Sequence, residues 1–275
     1  MNERKRALLY MTIAVLLWSI GGLLIKLSSW DALALNGGRN AVAVVLIWAY
    51  LKRPLFTFSR LQIGGAIAFA IMNTSYVLAT QLTTAANAVF LHYTAPIWVL
   101  FFSAWLLKEK PKKIDWATLA AIIVGIVLMF SGQLSGDGLW GNFFGLLSGL
   151  LLSIVIIILR KQKDGSPTET LLLGMIMAAV VGLFFVPSQP INPREISIVL
   201  ALGVAQFGLP FLLYTIAIKT LTAVEAVLIQ ALEPALNPLW VAMAVGEVPP
   251  ITAVFGSFII LASVVIRGII GNRKE

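Results

Sequence analysis

Glu233 is the residue around which the chemistry of this sequence gathers. It directly precedes Pro234, and Asn237-Pro238 follows within a turn. The apolar run that holds it begins near residue 223, so Glu233 sits roughly 15 Å along a helix at 1.5 Å per residue. A charge that deep in a bilayer costs about 2.5–3.5 kcal/mol on insertion scales and is there for a partner, a proton or a solute. Proline lacks the N–H of a regular turn and frees the carbonyl four residues back. Pro234 thereby frees Gln230, Pro96 frees His92 and Pro210 frees Gln206, so each weakened turn carries a polar side chain. Broken helix at membrane depth persists only where protein covers it or where it lines a wet cavity. Pro96, Pro210, Pro234 and Pro238 are therefore candidate helix breaks or gating points; the plain alternative is that they kink helices for packing.

Further polar and aromatic residues fall at similar depth. Asn73 and Tyr76 stand in "MNTSY", Trp18-Ser19 near the middle of the first apolar run, and His92-Tyr93 just before Pro96. With Gln206, Tyr214, Gln230, Glu233 and Asn237 they are the candidate solute-binding set, and Phe207 would join Trp18, Tyr76, Tyr93 and Tyr214 in an aromatic lining. A cavity lined this way suits a neutral, zwitterionic or partly aromatic solute better than a phosphate ester. Glu233 could carry a coupling proton or hold a fixed hydrogen bond. His92 is the sole histidine; such a residue is more often a hydrogen-bonded anchor than a relay, and it has no companions for a metal site. Arg39 is expected about 5–10 Å from a membrane surface, where it either snorkels or receives a carboxylate. Lys26, Lys219 and Glu225 read as simple helix-end residues. The sequence holds no GxxxxGK[ST] loop, no nucleophile beside a base and no cysteine. No catalytic residue, metal or cofactor is expected.

The elements that must position these groups follow from composition. The 275 residues are 59% hydrophobic and 12% charged, with a mean hydropathy of +0.94. That is more apolar surface than a water-soluble interior of this size can hide. The net charge of +8 comes in short groups between apolar runs, which argues against a nucleic-acid face. At about 20 residues per span, ten runs qualify: about 7–27, 33–51, 62–80, 86–107, 115–131, 139–159, 169–187, 196–217, 223–245 and 250–270. The first, preceded by "NERKR", reads as a retained helix rather than a signal peptide, since no small-residue cleavage site follows. With the N-terminus inside, all lysines and arginines except Lys26, Arg39 and Arg194 fall on the cytoplasmic side, as the positive-inside rule asks. Both termini are then cytoplasmic. Gly21-Gly22 and "GLLSG" (145–149) suit close helix packing.

Two stretches repeat one pattern: "TAPIWVLFFSAWLLKEKP" and "LEPALNPLWVAMAVGEVP". At a shift of 138 residues Pro96 meets Pro234, Glu109 meets Glu247, Pro111 meets Pro249 and Tyr76 meets Tyr214; nearer the N-terminus a shift of 134 brings Ser19 onto Ser153 and Lys26 onto Arg160. The expectation is two halves, 1–137 and 138–275, each of five helices. Five is odd, so the second half is inverted. Such halves can exchange conformations around a fixed midplane site.

The Trp18-Ser19 pair, Arg39, "TTAANAVFLHYTAPIWVLFFSAWLLKEKP" and "TAVEAVLIQALEPALNPLWVAMAVGEVP" resemble the two EamA repeats of the drug/metabolite transporter superfamily, over essentially the whole chain. The resemblance implies an all-α, ten-helix carrier in the plasma (inner) membrane that exports amino acids, other metabolites or drugs. Helices 1–4 and 6–9 would surround the cavity, with Trp18, Ser19, Tyr76, His92 and Glu233 at family positions. The halves differ there: Ala95, not Glu, precedes Pro96, and Leu152-Ser153 replaces Trp18-Ser19. Expected partners are a small-molecule solute and the bilayer, with a homodimer as an open option and no nucleic acid. A channel-like facilitator and an intramembrane enzyme are the competing readings; the enzyme lacks paired groups for chemistry.

Overall fold

The protein is described by a computed structural model covering residues 2–131, 136–189, 191–245 and 250–272. Among the described residues there are helices and no strands. In chain order the α-helices are α1 (Glu3–Ser19), α2 (Gly21–Leu27), α3 (Ala32–Leu51), α4 (Arg60–Leu82), α5 (Ala85–His92), α6 (Ala95–Phe102), α7 (Lys113–Met129), α8 (Leu139–Lys161), α9 (Pro167–Leu183), α10 (Pro193–Ala201), α11 (Leu209–Ala217), α12 (Ala223–Gln230), α13 (Leu232–Val245) and α14 (Ile251–Asn272). Wide π turns continue α6 over Ser103–Leu107 and join α10 to α11 over Leu202–Gly208. The starts follow local chemistry. Asn2, Asp31, Ser59, Thr84, Asn192 and Thr222 each cap a helix by accepting a backbone N–H, which satisfies a donor the helix cannot.

Six stretches are long and apolar enough to cross a membrane: Ala32–Leu51, Arg60–Leu82, Ala86–Leu107, Leu139–Lys161, Pro193–Ala217 and Ile251–Ile270. The other four expected runs fall on shorter helices (α7, α9) or interrupted ones (α1–α2, α12–α13). The outer surface carries large apolar side chains such as Trp105, Leu139, Phe184 and Phe258. A surface of this kind suits lipid, and the chain is a membrane protein.

The first run differs from the single helix expected over 7–27. It breaks at Ile20, between α1 and α2. Ser19 Oγ donates to the Leu16 carbonyl at 2.7 Å, a bond that competes with the ladder and bends helices. Gly21 then lets the chain pass Gln206: a Cβ at Gly21 would lie 2.6 Å from that amide.

Packing ties the halves of the chain together. α4 lies against α8 and α9, α1 against α11 and α13, α3 against α9 and the 202–208 turn, α5 and α6 against α8, α6 against α12, and α7 against α14. One large apolar cluster, including Met11, Phe69, Ile156, Leu171 and Met175, fills the centre. At two crossings glycine faces glycine. A Cβ on Gly37 would sit 2.3 Å from the Gly182 carbonyl carbon, and one on Gly256 would sit 2.3 Å from the Gly125 oxygen. Backbones this close are how apolar helices gain dispersion contacts in lipid. Gly256→Val, at the α7–α14 crossing, is expected to cost about 2 kcal/mol, seen as a thermal midpoint lower by a few degrees in detergent. An unchanged midpoint would remove this crossing from the stability account.

Candidate functional site

Helix breaks place the polar groups. Between α5 and α6 the chain turns at Tyr93-Thr94, and between α12 and α13 at Ala231. The first break is covered: Gly149 of α8 packs so closely that a Cβ there would lie 2.7 Å from the carbonyls of Leu91 and His92. Thr94 Oγ1 donates to the Leu91 carbonyl at 2.7 Å. At the third weakened turn, before Pro210, the backbone widens into the π turn instead.

Around these breaks four elements bring charged and phenolic groups together. Glu233, at the start of α13, hydrogen-bonds the Tyr93 hydroxyl and lies within electrostatic reach of Arg39 and Tyr76. It is half-buried, although its neighbours place it inside the bundle. Arg39 is 6% exposed, so it does not snorkel. Its Nε and Nη2 donate to Asn36 Oδ1 at 3.1 and 2.9 Å, and Nη1 reaches Gln206 Oε1 at 3.5 Å. Asn40 Nδ2 fixes Asn36 from one turn on, at 2.7 Å to its carbonyl. The guanidinium stacks over Phe207, 4.5 Å from the ring centre, an arrangement that favours a desolvated cation. Tyr76 packs on the His92 ring at 4.7 Å, and His92 Nδ1 is 2.9 Å from Ser148 Oγ on α8.

An aromatic wall runs from this cluster into the bundle. Phe207 contacts Phe211 at 4.9 Å, Phe211 contacts Trp18 at 5.0 Å, and Trp18 contacts Tyr214 at 5.6 Å. Tyr214 Oη and Gln230 Oε1 are buried without a hydrogen-bond partner among the described residues. Ser19 receives Trp240 Nε1 at 2.8 Å, joining α1 to α13. Of the other residues singled out by sequence, Asn73 spends its amide on the Phe69 carbonyl and takes no part in the cluster. Pro96, Pro210 and Pro234 are buried. The side chains of Asn237 and Pro238, and residues Glu247 and Pro249, lie outside the described residues.

The opposite end of the bundle holds a charge network that the sequence reading passed over. Glu225, read as a plain helix-end residue, accepts Arg4 Nη2 at 2.6 Å and Arg267 Nη1 at 3.1 Å. Arg267 Nε also meets Asp115 at 3.0 Å. Arg160 Nε pairs with Glu109 at 2.7 Å while its Nη1 donates to the Ile218 and Lys219 carbonyls. Glu109 Oε2 in turn accepts Ala223 N–H at 3.0 Å. A cavity of about 90 Å³ lies among Glu109, Asp115, Thr222, Glu225 and Arg267. A signal was present: Thr222-x-x-Glu225 is a capping box, and both reciprocal bonds form, as that pattern foretells. At the other end the Glu195 carboxylate accepts from Ser28 Oγ, Ser29 N–H and Ser29 Oγ at 2.8–3.1 Å, and Asp31 accepts from Gln189 Nε2.

Known proteins resemble the chain over most of its length. The model of the EamA-like transporter family matches twice, over residues 5–131 and 139–268. An uncharacterized transporter of Archaeoglobus fulgidus is 26% identical over 263 residues, 94% of this chain and 92% of that protein. The threonine/homoserine exporter RhtA of Escherichia coli is 25% identical over 220 residues, 76% of this chain and 72% of that one. A solved crystal structure superimposes with a TM-score of 0.84 over 97% of this chain and 98% of the other at 19% identity, which shows a shared fold.

Proposed function

The chain belongs to the EamA-like transporter family, and on that premise we propose that it is a secondary transporter working by alternating access, exporting a small neutral or zwitterionic metabolite, with amino acids first among the candidates. The observation that carries this reading is the meeting of Arg39, Tyr76, Tyr93 and Glu233, from α3, α4, the α5–α6 break and α13, inside the bundle. Opposite charges with unspent hydrogen-bonding capacity, beside aromatic rings, are the groups a small polar solute needs. The exporter RhtA, 25% identical, supports starting with threonine and homoserine.

Alternating access draws support from packing. Number the ten expected runs in order. Run 3 on run 6 has its counterpart in run 1 on run 8, run 3 on run 7 in run 2 on run 8, and run 4 on run 6 in run 1 on run 9; runs 2 and 7, 4 and 9, and 5 and 10 pair with each other. Exchanging each run for the one five places on leaves this set unchanged. Two inverted halves of one carrier would pack in this way. The placement we propose is the plasma (inner) membrane, spanned ten times with both termini cytoplasmic, so that the ion-paired end faces the cytoplasm. A channel-like facilitator fits less well, since ion pairs through Glu225 join α1, α12 and α14 across that end.

The test is counterflow in proteoliposomes, with threonine and homoserine first, then other amino acids, with and without a pH gradient. Exchange of labelled for unlabelled solute is expected. Monodisperse protein that exchanges no amino acid would overturn the reading. Ser19→Leu, which removes the acceptor of Trp240 and fills the α1–α2 break, is expected to lower that flux about tenfold, or 1.4 kcal/mol of barrier; wild-type flux would take Ser19 out of the pathway.

A further inference from the structure

We propose that Arg39 and Glu233 divide an α-amino acid between them, Arg39 taking the carboxylate and Glu233 the ammonium, so that selectivity is read from the two charged ends of the solute. This rests on the transport reading above and names how its site recognises cargo.

The argument begins with what each charge lacks. A guanidinium has five N–H donors. Three of Arg39's are directed at Asn36 and Gln206, the one to Gln206 at the long distance of 3.5 Å. Two have no protein acceptor among the described residues. Glu233 holds a bond to Tyr93, and a carboxylate has about four acceptor sites. The two charges lie within electrostatic reach of each other, yet among the described residues they form no ion pair within 4 Å; the pairs made by Glu109, Asp115 and Glu225 lie at the far end of the bundle. In an apolar interior, opposite charges free to meet would collapse into contact. Here each is held back by its own neutral scaffold: Asn36, itself fixed by Asn40, for the arginine, and Tyr93 at the helix break for the glutamate.

A gap between a fixed cation and a fixed anion is complementary to a zwitterion. The solute's carboxylate takes the spare Nη donors, where planar two-point recognition is available, and its ammonium takes the free carboxylate oxygen. The loaded site remains neutral, so no net charge is carried through the apolar interior. The Phe207–Phe211–Trp18 wall beside the guanidinium leaves an apolar face for the side chain. Burying only one end of the solute would leave the opposite protein charge uncompensated, a heavy penalty in low dielectric.

The test uses L-threonine, L-threonine amide (ammonium without carboxylate) and N-acetyl-L-threonine (carboxylate without ammonium). Each is measured twice: as thermal stabilisation of detergent-purified protein, and as competitor of labelled threonine in counterflow. Wild type is expected to prefer threonine over either derivative by about tenfold or more in affinity. Arg39→Gln is expected to lose the preference over the amide, and Glu233→Gln the preference over the N-acetyl compound. This crossed pattern is one that a merely structural role would not produce. Arg39→Lys, which keeps the charge and loses the fork, retains the preference over the amide in weakened form and guards against a folding defect. The inference is overturned if wild type takes all three compounds equally, or if both glutamine variants weaken all three alike. Flux without the crossed pattern sinks this inference alone. Crossed binding without flux sinks the transport reading and leaves the site standing.

Discussion

Glu233→Gln is expected to lower amino-acid counterflow by about 100-fold while the protein still purifies as a monodisperse species. Glutamine is nearly isosteric and can still accept from Tyr93, so the α12–α13 break keeps its shape. What disappears is the charge. A hydrogen bond to a charged group contributes about 1.5–3 kcal/mol, twice a neutral one, and the solute's ammonium loses that partner. Arg39, buried and not in contact with Glu233, also loses the nearby negative charge that offsets its own in a low-dielectric interior. The two effects together exceed the 2.7 kcal/mol that a 100-fold change requires. Glu233→Asp keeps the charge one methylene short of Tyr93 and is expected to fall between, near tenfold. If Glu233 also carries a coupling proton, accumulation driven by a pH gradient vanishes in the glutamine variant and its residual exchange no longer responds to the gradient. Wild-type flux in Glu233→Gln would remove the carboxylate from the mechanism.

Much of this site was legible in the sequence because proline and charge are costly in a membrane helix wherever they stand. Glu233-Pro234 and the polar residues one turn before each proline stood out for that reason. Arg39 was harder. Its position in the chain gives a depth, and depth alone allows snorkelling; only the side chain's direction, set by Asn36 below it and Phe207 above it, turns it inward. Asn73 stands at the expected depth and directs its amide at its own helix. The break at Ile20 was missed because apolarity runs straight through it, and its cause is local, in the Ser19 hydroxyl and a neighbour contributed by the 202–208 turn. Glu225 was undervalued because a helix-end acid is ordinarily explained by the helix itself; its second oxygen faces Arg4 and Arg267 from the two ends of the chain, contacts that no local pattern encodes.

Glu225→Gln is expected to destabilise the closed end by about 3 kcal/mol, at the lower edge of what breaking a buried pair costs. Glutamine can preserve the capping box with Thr222, so α12 still starts in place, but Arg4 and Arg267 lose their shared anion and Arg267 is left with Asp115 alone. In a carrier the loss appears mainly as a shift in conformational equilibrium, because the state that breaks these contacts anyway is not penalised by their removal. The chain has no cysteine, so Val224→Cys provides a clean reporter at a position 3% exposed beside the network. An impermeant maleimide added at that end is expected to label it slowly on the wild-type background. Adding Glu225→Gln should speed labelling about tenfold or more, since each 1.4 kcal/mol is a factor of ten in population. Solute should slow labelling again if it draws the protein toward the closed form, and Glu109→Gln, which frees Arg160 from its partner on the far side of the same cavity, should act in the same direction. Equal labelling rates in all three backgrounds would mean that the ion pairs hold the fold together without gating it, and the pathway would then have to open through the Glu195 end alone.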